Sequence, residues 1–141
     1  MSGRVFVDTN VLVYLYDTDA PVKQRIGRAL IEREQQELTV SPQVLQEFYV
    51  TVTRKLATPL PAADAEAAVR QLAAFEVVPA DAALVLRAVA RARRDKLAFW
   101  DSLIVEAALA GKCARLYSED MQDGRRFGSM VVVNPFAHAA R

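Results

Sequence analysis

Cysteine and histidine are almost missing from this sequence: among 141 residues there is one cysteine, Cys113, and one histidine, His138. A lone cysteine excludes an internal disulfide, and one histidine with one cysteine excludes the usual Cys/His zinc site. His138 stands three residues from the C-terminus, where a side chain is more often an exposed bystander than a catalyst, which argues against Ser-His or Cys-His chemistry. A long hydrophobic run is missing too. The apolar stretch from Val5 to Tyr16 is broken by Asp8 and Asn10, is too short to span a bilayer and lacks a small-residue cleavage site. Neither a membrane span nor a secretory leader is therefore expected, and a cytoplasmic protein is the default. Charge of one sign is also lacking: 18 Lys and Arg face 17 Asp and Glu, leaving +1, so any contact with nucleic acid has to be local.

What is present is a chain that can fold. Apolar residues make up 52% and charged residues 25%, and the length suits one domain over residues 1–141. Short apolar runs alternate with helical patterns. Arg4 to Val7 reads as a buried strand that ends in Asp8-Thr9-Asn10, a turn and helix-capping group. Residues 21–37 read as a helix, Leu38 to Val40 as a strand, and Ser41-Pro42 as the start of a helix to about Ala57. Pro61 to Ala74 is a further helix, Glu76 to Val78 a strand, and Asp81 caps a helix to about Arg94. A helix over Ala98 to Ala110 stops at Gly111, the expected C-terminal glycine, and Ala114 to Tyr117 and Met130 to Val133 are the last strands. Residues 118–129, polar and glycine-containing, leave room for a short helix and a loop. Alternating strands and helices imply an α/β protein, a three-layer α/β/α sandwich around a central parallel β-sheet.

In such a sheet ligands bind beyond the C-terminal strand ends, where strand order reverses. Asp8 closes the first strand and belongs at that edge, either as a plain helix N-cap or as a working carboxylate. Asp101 has Leu97, Ala98, Ile104 and Val105 as helical neighbours and no same-helix cation to pair with, so it needs a proton, a cation from elsewhere or a metal, unless it merely favours the helix dipole. Glu47 has Gln43 and Thr51 at the four-residue spacing and, on its own, reads as a solvated surface acid. Asp120 follows the strand ending at Tyr117 and belongs at the same edge as Asp8, with Glu119 and Asp123 as competitors. Carboxylates about 4 Å apart repel by roughly 4 kcal/mol per pair at an effective dielectric near 20. Divalent cations remove that penalty, and oxygen-only donors select hard ions such as Mg²⁺ or Mn²⁺, which suit phosphodiester hydrolysis.

The segments VFVDTNVL (residues 5–12), Glu47, FWDSLI (residues 99–104), LYSED (residues 116–120) and the closing VVNPF (residues 132–136) resemble PIN-domain nucleases, more narrowly toxins of the VapC type. The resemblance spans essentially the whole chain. It implies a metal-dependent endoribonuclease with Asp8, Glu47 and Asp101 holding or orienting the metal and Asp120 as the fourth acid. Ser118 matches the hydroxyl residue two before that acid, and Thr9 and Asn10 would hold the ligands in place. Asp123, followed by Gly124 where the commoner family pattern has an aromatic, stays a competing fourth acid. An RNA substrate, a homodimer and a small antitoxin protein are implied in the same way. The basic row Arg87, Arg91, Arg94 and Lys96 is either a phosphate contact or, on the preferred reading, a solvated helix face, and Tyr14, Tyr16 and Trp100 are either base-stacking or packing residues.

Three other readings follow from the same residues. One is a phosphoryl-transfer domain with Asp8 as covalent nucleophile, although Asn10 stands where a second acid is expected. Another is a housekeeping PIN nuclease without an antitoxin, and the last a non-catalytic interaction domain.

Overall fold

The structure is a computed structural model that describes residues 3–137, so His138 lies outside the described residues. Six strands form one sheet: β1 (Val5–Val7), β2 (Leu38–Val40), β3 (Glu76–Val77), β4 (Arg115–Tyr117), β5 (Arg126–Phe127) and β6 (Met130–Val133). Their order is β3-β2-β1-β4-β6-β5. All pairs are parallel except β5 with β6. Helices flank the sheet: α1 (Thr9–Val13), continued by a 3₁₀ turn over Tyr14–Tyr16, α2 (Pro21–Glu34), α3 (Pro42–Arg54), α4 (Ala62–Ala73), α5 (Ala82–Asp95) and α6 (Phe99–Ala110). The core gathers β1, β2 and β4 side chains with Val11, Leu12, Phe48, Val52, Ile104 and Val105. Among the described residues no helix is long and apolar enough to cross a membrane.

The sequence places every strand except β5 and every helix start to within a residue, and the caps at Ser41 and Asp81 form as expected. The Ser41 hydroxyl accepts from Val44 N at 3.5 Å, and the Asp81 carboxylate accepts from Leu84 N at 2.9 Å. The ends differ. α2 stops at Glu34, three residues before the expected end, because Glu37 already belongs to the sheet region: its carbonyl accepts from Val5 N at 2.9 Å. α3 stops at Arg54, short of Ala57, and the chain turns so that Leu60 N donates to Val52 O at 2.8 Å, with Pro59 and Pro61 preventing continuation. Residues 118–129 contain no helix. They contain β5, which pairs antiparallel with β6 across a tight turn where Gly128 takes φ +62°. The sheet is thus parallel through five strands and antiparallel at one edge.

Gly111 ends α6, but not for the expected reason. Its φ is −77°, and the left-handed position falls to Lys112 at +57°. Glycine is required by space: a Cβ would sit 2.9 Å from Val78 Cγ2 and 3.3 Å from Thr39 Cγ2. Gly111→Ala is therefore expected to destabilise the fold by about 1–3 kcal/mol, the range for overpacking a dense core. Urea unfolding checks this, and an unchanged midpoint would show that Val78 gives way freely.

Candidate active site

Strand order reverses between β1 and β4. The chain builds β2 and β3 outward on one side of β1, then returns to place β4 and β6 on the other. Val7 is in register with Tyr117, so the residues that follow, Asp8 and Ser118, leave the sheet side by side. The backbone locks this, since Asp8 N donates to Tyr117 O at 2.9 Å. A cleft of about 600 Å³ opens there, lined by Asp8, Glu47, Asp101 and Asp120 together with Gln43 and Trp100.

Three small polar side chains hold three of the acids. The Ser118 hydroxyl donates to Asp8 Oδ2 at 2.9 Å, while Thr9 N donates to Asp8 Oδ1 at 2.7 Å. Thr9 Oγ1 donates to Glu47 Oε1 at 2.9 Å. Asn10 Nδ2 donates to Asp120 Oδ2 at 3.1 Å, and Asn10 Oδ1 accepts from Glu119 N at 3.1 Å. Asp8 is therefore both N-cap of α1 and member of the cluster. The competitors of Asp120 turn elsewhere: Glu119 takes a hydrogen bond from Tyr14 and an ion pair from Lys23, and Asp123 Oδ1 accepts from Asn134 N at 2.8 Å. Neither lines the cleft.

Asp101 is the acid without help. Among the described residues it has no hydrogen-bond donor and no ion-pair partner, and its carboxyl is held above its ordinary range by burial, then by Asp120 and Glu47. Asp8 is only 6% exposed, and burial pushes its pKa from 3.8 to about 6. The hydrogen bonds from Ser118 and Thr9 pull it back, while Glu47 and Asp101 push it further up. The four carboxylates thus act on one another electrostatically. Among the described residues no group of three or more Asp, Glu, Cys or His side chains is arranged to hold a metal ion as it stands. The donor chemistry nevertheless fits a hard cation, being all oxygen, mutually repelling and, at Asp101, unneutralised.

The structure reveals one positioning residue that sequence reasoning passed over. Gln43 Nε2 lies 3.2 Å from Glu47 Oε2 and 3.2 Å from the Trp100 carbonyl oxygen, so one amide links α3 to the first turn of α6. Its four-residue spacing to Glu47 was visible; its reach to another helix was not. The basic row resolves as an ion-pair network, with Arg87 and Arg91 on Glu106 and Arg91 and Arg94 on Asp95. Tyr14 packs edge-on to Phe136 at 5.0 Å and Tyr16 edge-on to Phe48 at 5.6 Å, both as packing residues.

An α/β/α domain with a carboxylate-lined cleft at the point where its strand order reverses is the class that fold and site define. The chain belongs to the PIN domain family, whose profile matches residues 5–124. No curated protein matches the sequence significantly. Solved structures share the fold. A chain of a toxin–antitoxin complex from Klebsiella pneumoniae superposes with a TM-score of 0.71 at 19% identity, over 93% of this chain and 97% of that one. Mycobacterium tuberculosis VapC20, described as a sarcin-ricin loop cleaving toxin, gives 0.65 at 22% identity over 82% and 89%. A chain of DNA-bound VapBC from Salmonella typhimurium gives 0.64 at 15% identity over 92% and 96%.

Proposed function

We propose that this protein is a Mg²⁺- or Mn²⁺-dependent endoribonuclease, the toxin of a toxin–antitoxin module, acting in the cytoplasm. The observation that supports it most is the convergence of Asp8, Glu47, Asp101 and Asp120 on one cleft, with Asp101 left uncompensated. Asp8 and Asp101 would hold the cation, joined by Glu47 and Asp120. Such an ion supplies Lewis-acid charge for phosphodiester hydrolysis. The chain's own residues do the positioning: Thr9, Asn10 and Ser118 each fix one acid, and Gln43 fixes Glu47 from its second oxygen. An antitoxin partner is supported by structural neighbours described as a toxin–antitoxin complex and as DNA-bound VapBC. A protein partner or a second copy is also consistent with the exposed Val85, Leu86 and Val89 along α5. The phosphoryl-transfer reading is disfavoured by Asp8 itself, which is buried and hydrogen-bonded on both oxygens.

The test is cleavage of single-stranded RNA with Mg²⁺ or Mn²⁺, with EDTA and with Asp101→Asn. Activity that survives EDTA undiminished would sink the proposal. Asp101→Asn is further expected to melt higher than wild type in EDTA, because it removes repulsion from Asp120 and Glu47. Mg²⁺ at about a hundredfold above its Kd should stabilise wild type by about 3 kcal/mol and the variant by clearly less. Equal shifts for the two proteins would remove Asp101 from the metal site.

A further inference from the structure

We propose that Trp100 is the platform on which a base of single-stranded RNA stacks beside the carboxylate cleft. The inference rests on the ribonuclease reading and names how that site holds its substrate. Trp100 is 63% exposed, although indole is among the most costly side chains to leave in water. It lines the same cleft as the four acids and directly precedes Asp101.

Its position is built. Phe99 packs edge-on against the indole at 5.1 Å, and the Trp100 carbonyl accepts from Gln43, the amide that also holds Glu47. The backbone that carries the ring is therefore tied through one side chain to an acid of the cleft.

The electrostatics explain why an aromatic is needed there. RNA is a polyanion, and this cleft is lined by five carboxylates, Asp17 and the four acids of the cluster. Among the described residues, Lys55 is the one cationic side chain lining the cleft. Arg87, Arg91 and Arg94 of α5 are already engaged with Glu106 and Asp95, and the chain's net charge is only +1. Apart from the cation the acids would hold, attraction of phosphate by side-chain charge is thus weak at the cleft. Base–aromatic stacking is indifferent to that charge and accepts any base, so it supplies the grip that electrostatics withholds. Among the aromatics at the cleft, Tyr14 is occupied by Phe136, Lys23 and Glu119, which leaves Trp100.

Trp100 is the chain's single tryptophan, so its fluorescence reports on this ring alone. The nuclease-inactive variant Asp8→Asn, in Mg²⁺, is titrated with a short single-stranded RNA and with an abasic oligomer of equal length. Saturable quenching by the RNA and little by the abasic chain is expected. In steady-state cleavage by otherwise wild-type protein, Trp100→Ala should raise KM about tenfold. It should leave kcat within about twofold, as for an interaction shared by ground and transition states. Trp100→Phe should recover most of the loss. Unquenched fluorescence while anisotropy shows labelled RNA bound, or an unchanged KM in Trp100→Ala, would overturn the proposal. So would loss of self-association in Trp100→Ala with KM intact, which assigns the ring to a protein interface. If wild type leaves RNA uncut with either metal yet RNA still quenches the ring, the stacking stands and the ribonuclease reading falls.

Discussion

Asp8→Asn is expected to lose cleavage activity and, without metal, to gain stability. The activity loss should exceed the roughly 100-fold typical of removing a residue that only supports a metal ligand, because Asp8 sits at the centre of the site. The stability gain follows from its ionisation. The folded state raises the Asp8 pKa from 3.8 to about 6, chiefly by burial. A carboxyl with a raised pKa binds its proton more tightly when folded than when unfolded. Its contribution is therefore fully favourable below 3.8 and is lost as pH rises through about 6. Above that, the ionised Asp8 burdens the metal-free fold by about 3 kcal/mol relative to a neutral group. Asparagine keeps the shape and can still accept from Thr9 N as an N-cap. Urea unfolding in EDTA should show the variant ahead near pH 8 and the advantage vanishing near pH 3.5. An advantage of the same size at both ends would rule out ionisation of Asp8 as its source.

Glu34→Ala is expected to have the opposite sign, a loss of about 3–5 kcal/mol, at a place outside the cleft lining. Glu34 at the end of α2 and Arg115 on β4 form an ion pair at 3.2 Å, and the Tyr117 hydroxyl donates to Glu34 Oε2 at 2.6 Å. All three are under 10% exposed. Burial works against the Glu34 charge, yet its pKa is held below the ordinary value because the Tyr117 hydrogen bond and Arg115 outweigh it. Alanine would leave the Arg115 guanidinium buried with no counter-charge, and its Nη1 already has no hydrogen-bond partner. A deficit of that size consumes a large part of a normal domain's 5–15 kcal/mol. The double variant Glu34→Leu/Arg115→Met should recover most of it, since apolar replacement of a buried pair is often neutral or better. If Glu34→Ala unfolds at the wild-type denaturant midpoint, the pair contributes nothing.

These two sites differ in how far the sequence disclosed them. Asp8 was legible because strand ends are marked by local signals, an apolar β-branched run followed by a capping group. Asp101 was legible because its helical neighbours are all apolar. The fourth acid was not: Asp120 and Asp123 have the same local chemistry, and only the pull of Asn10 on one and of Asn134 N on the other separates them. The Glu34–Arg115 pair joins residues 81 apart, so no local pattern announces it, and Arg115 simply looked like a charge within a strand. The same holds for Gly111, whose local context suggested a left-handed cap and whose real constraint comes from Thr39 and Val78 on other elements. β5 is two residues long and exists through pairing with β6, below what periodicity can register.

The side-by-side exit of Asp8 and Ser118 from neighbouring strands bears on when, during synthesis, the cleft can assemble. The hydrogen bond between them spans 110 residues of chain. Asp101 and Asp120 likewise follow Asp8 by 93 and 112 residues. During synthesis β1 has no β4 to pair with, so Asp8 waits without Ser118 and Asp120 until β4 has been made. A product that ends before β4 lacks Ser118 and Asp120 and cannot complete the carboxylate cleft. On the proposed function, activity is thus tied by topology to completion of the chain through Asp120.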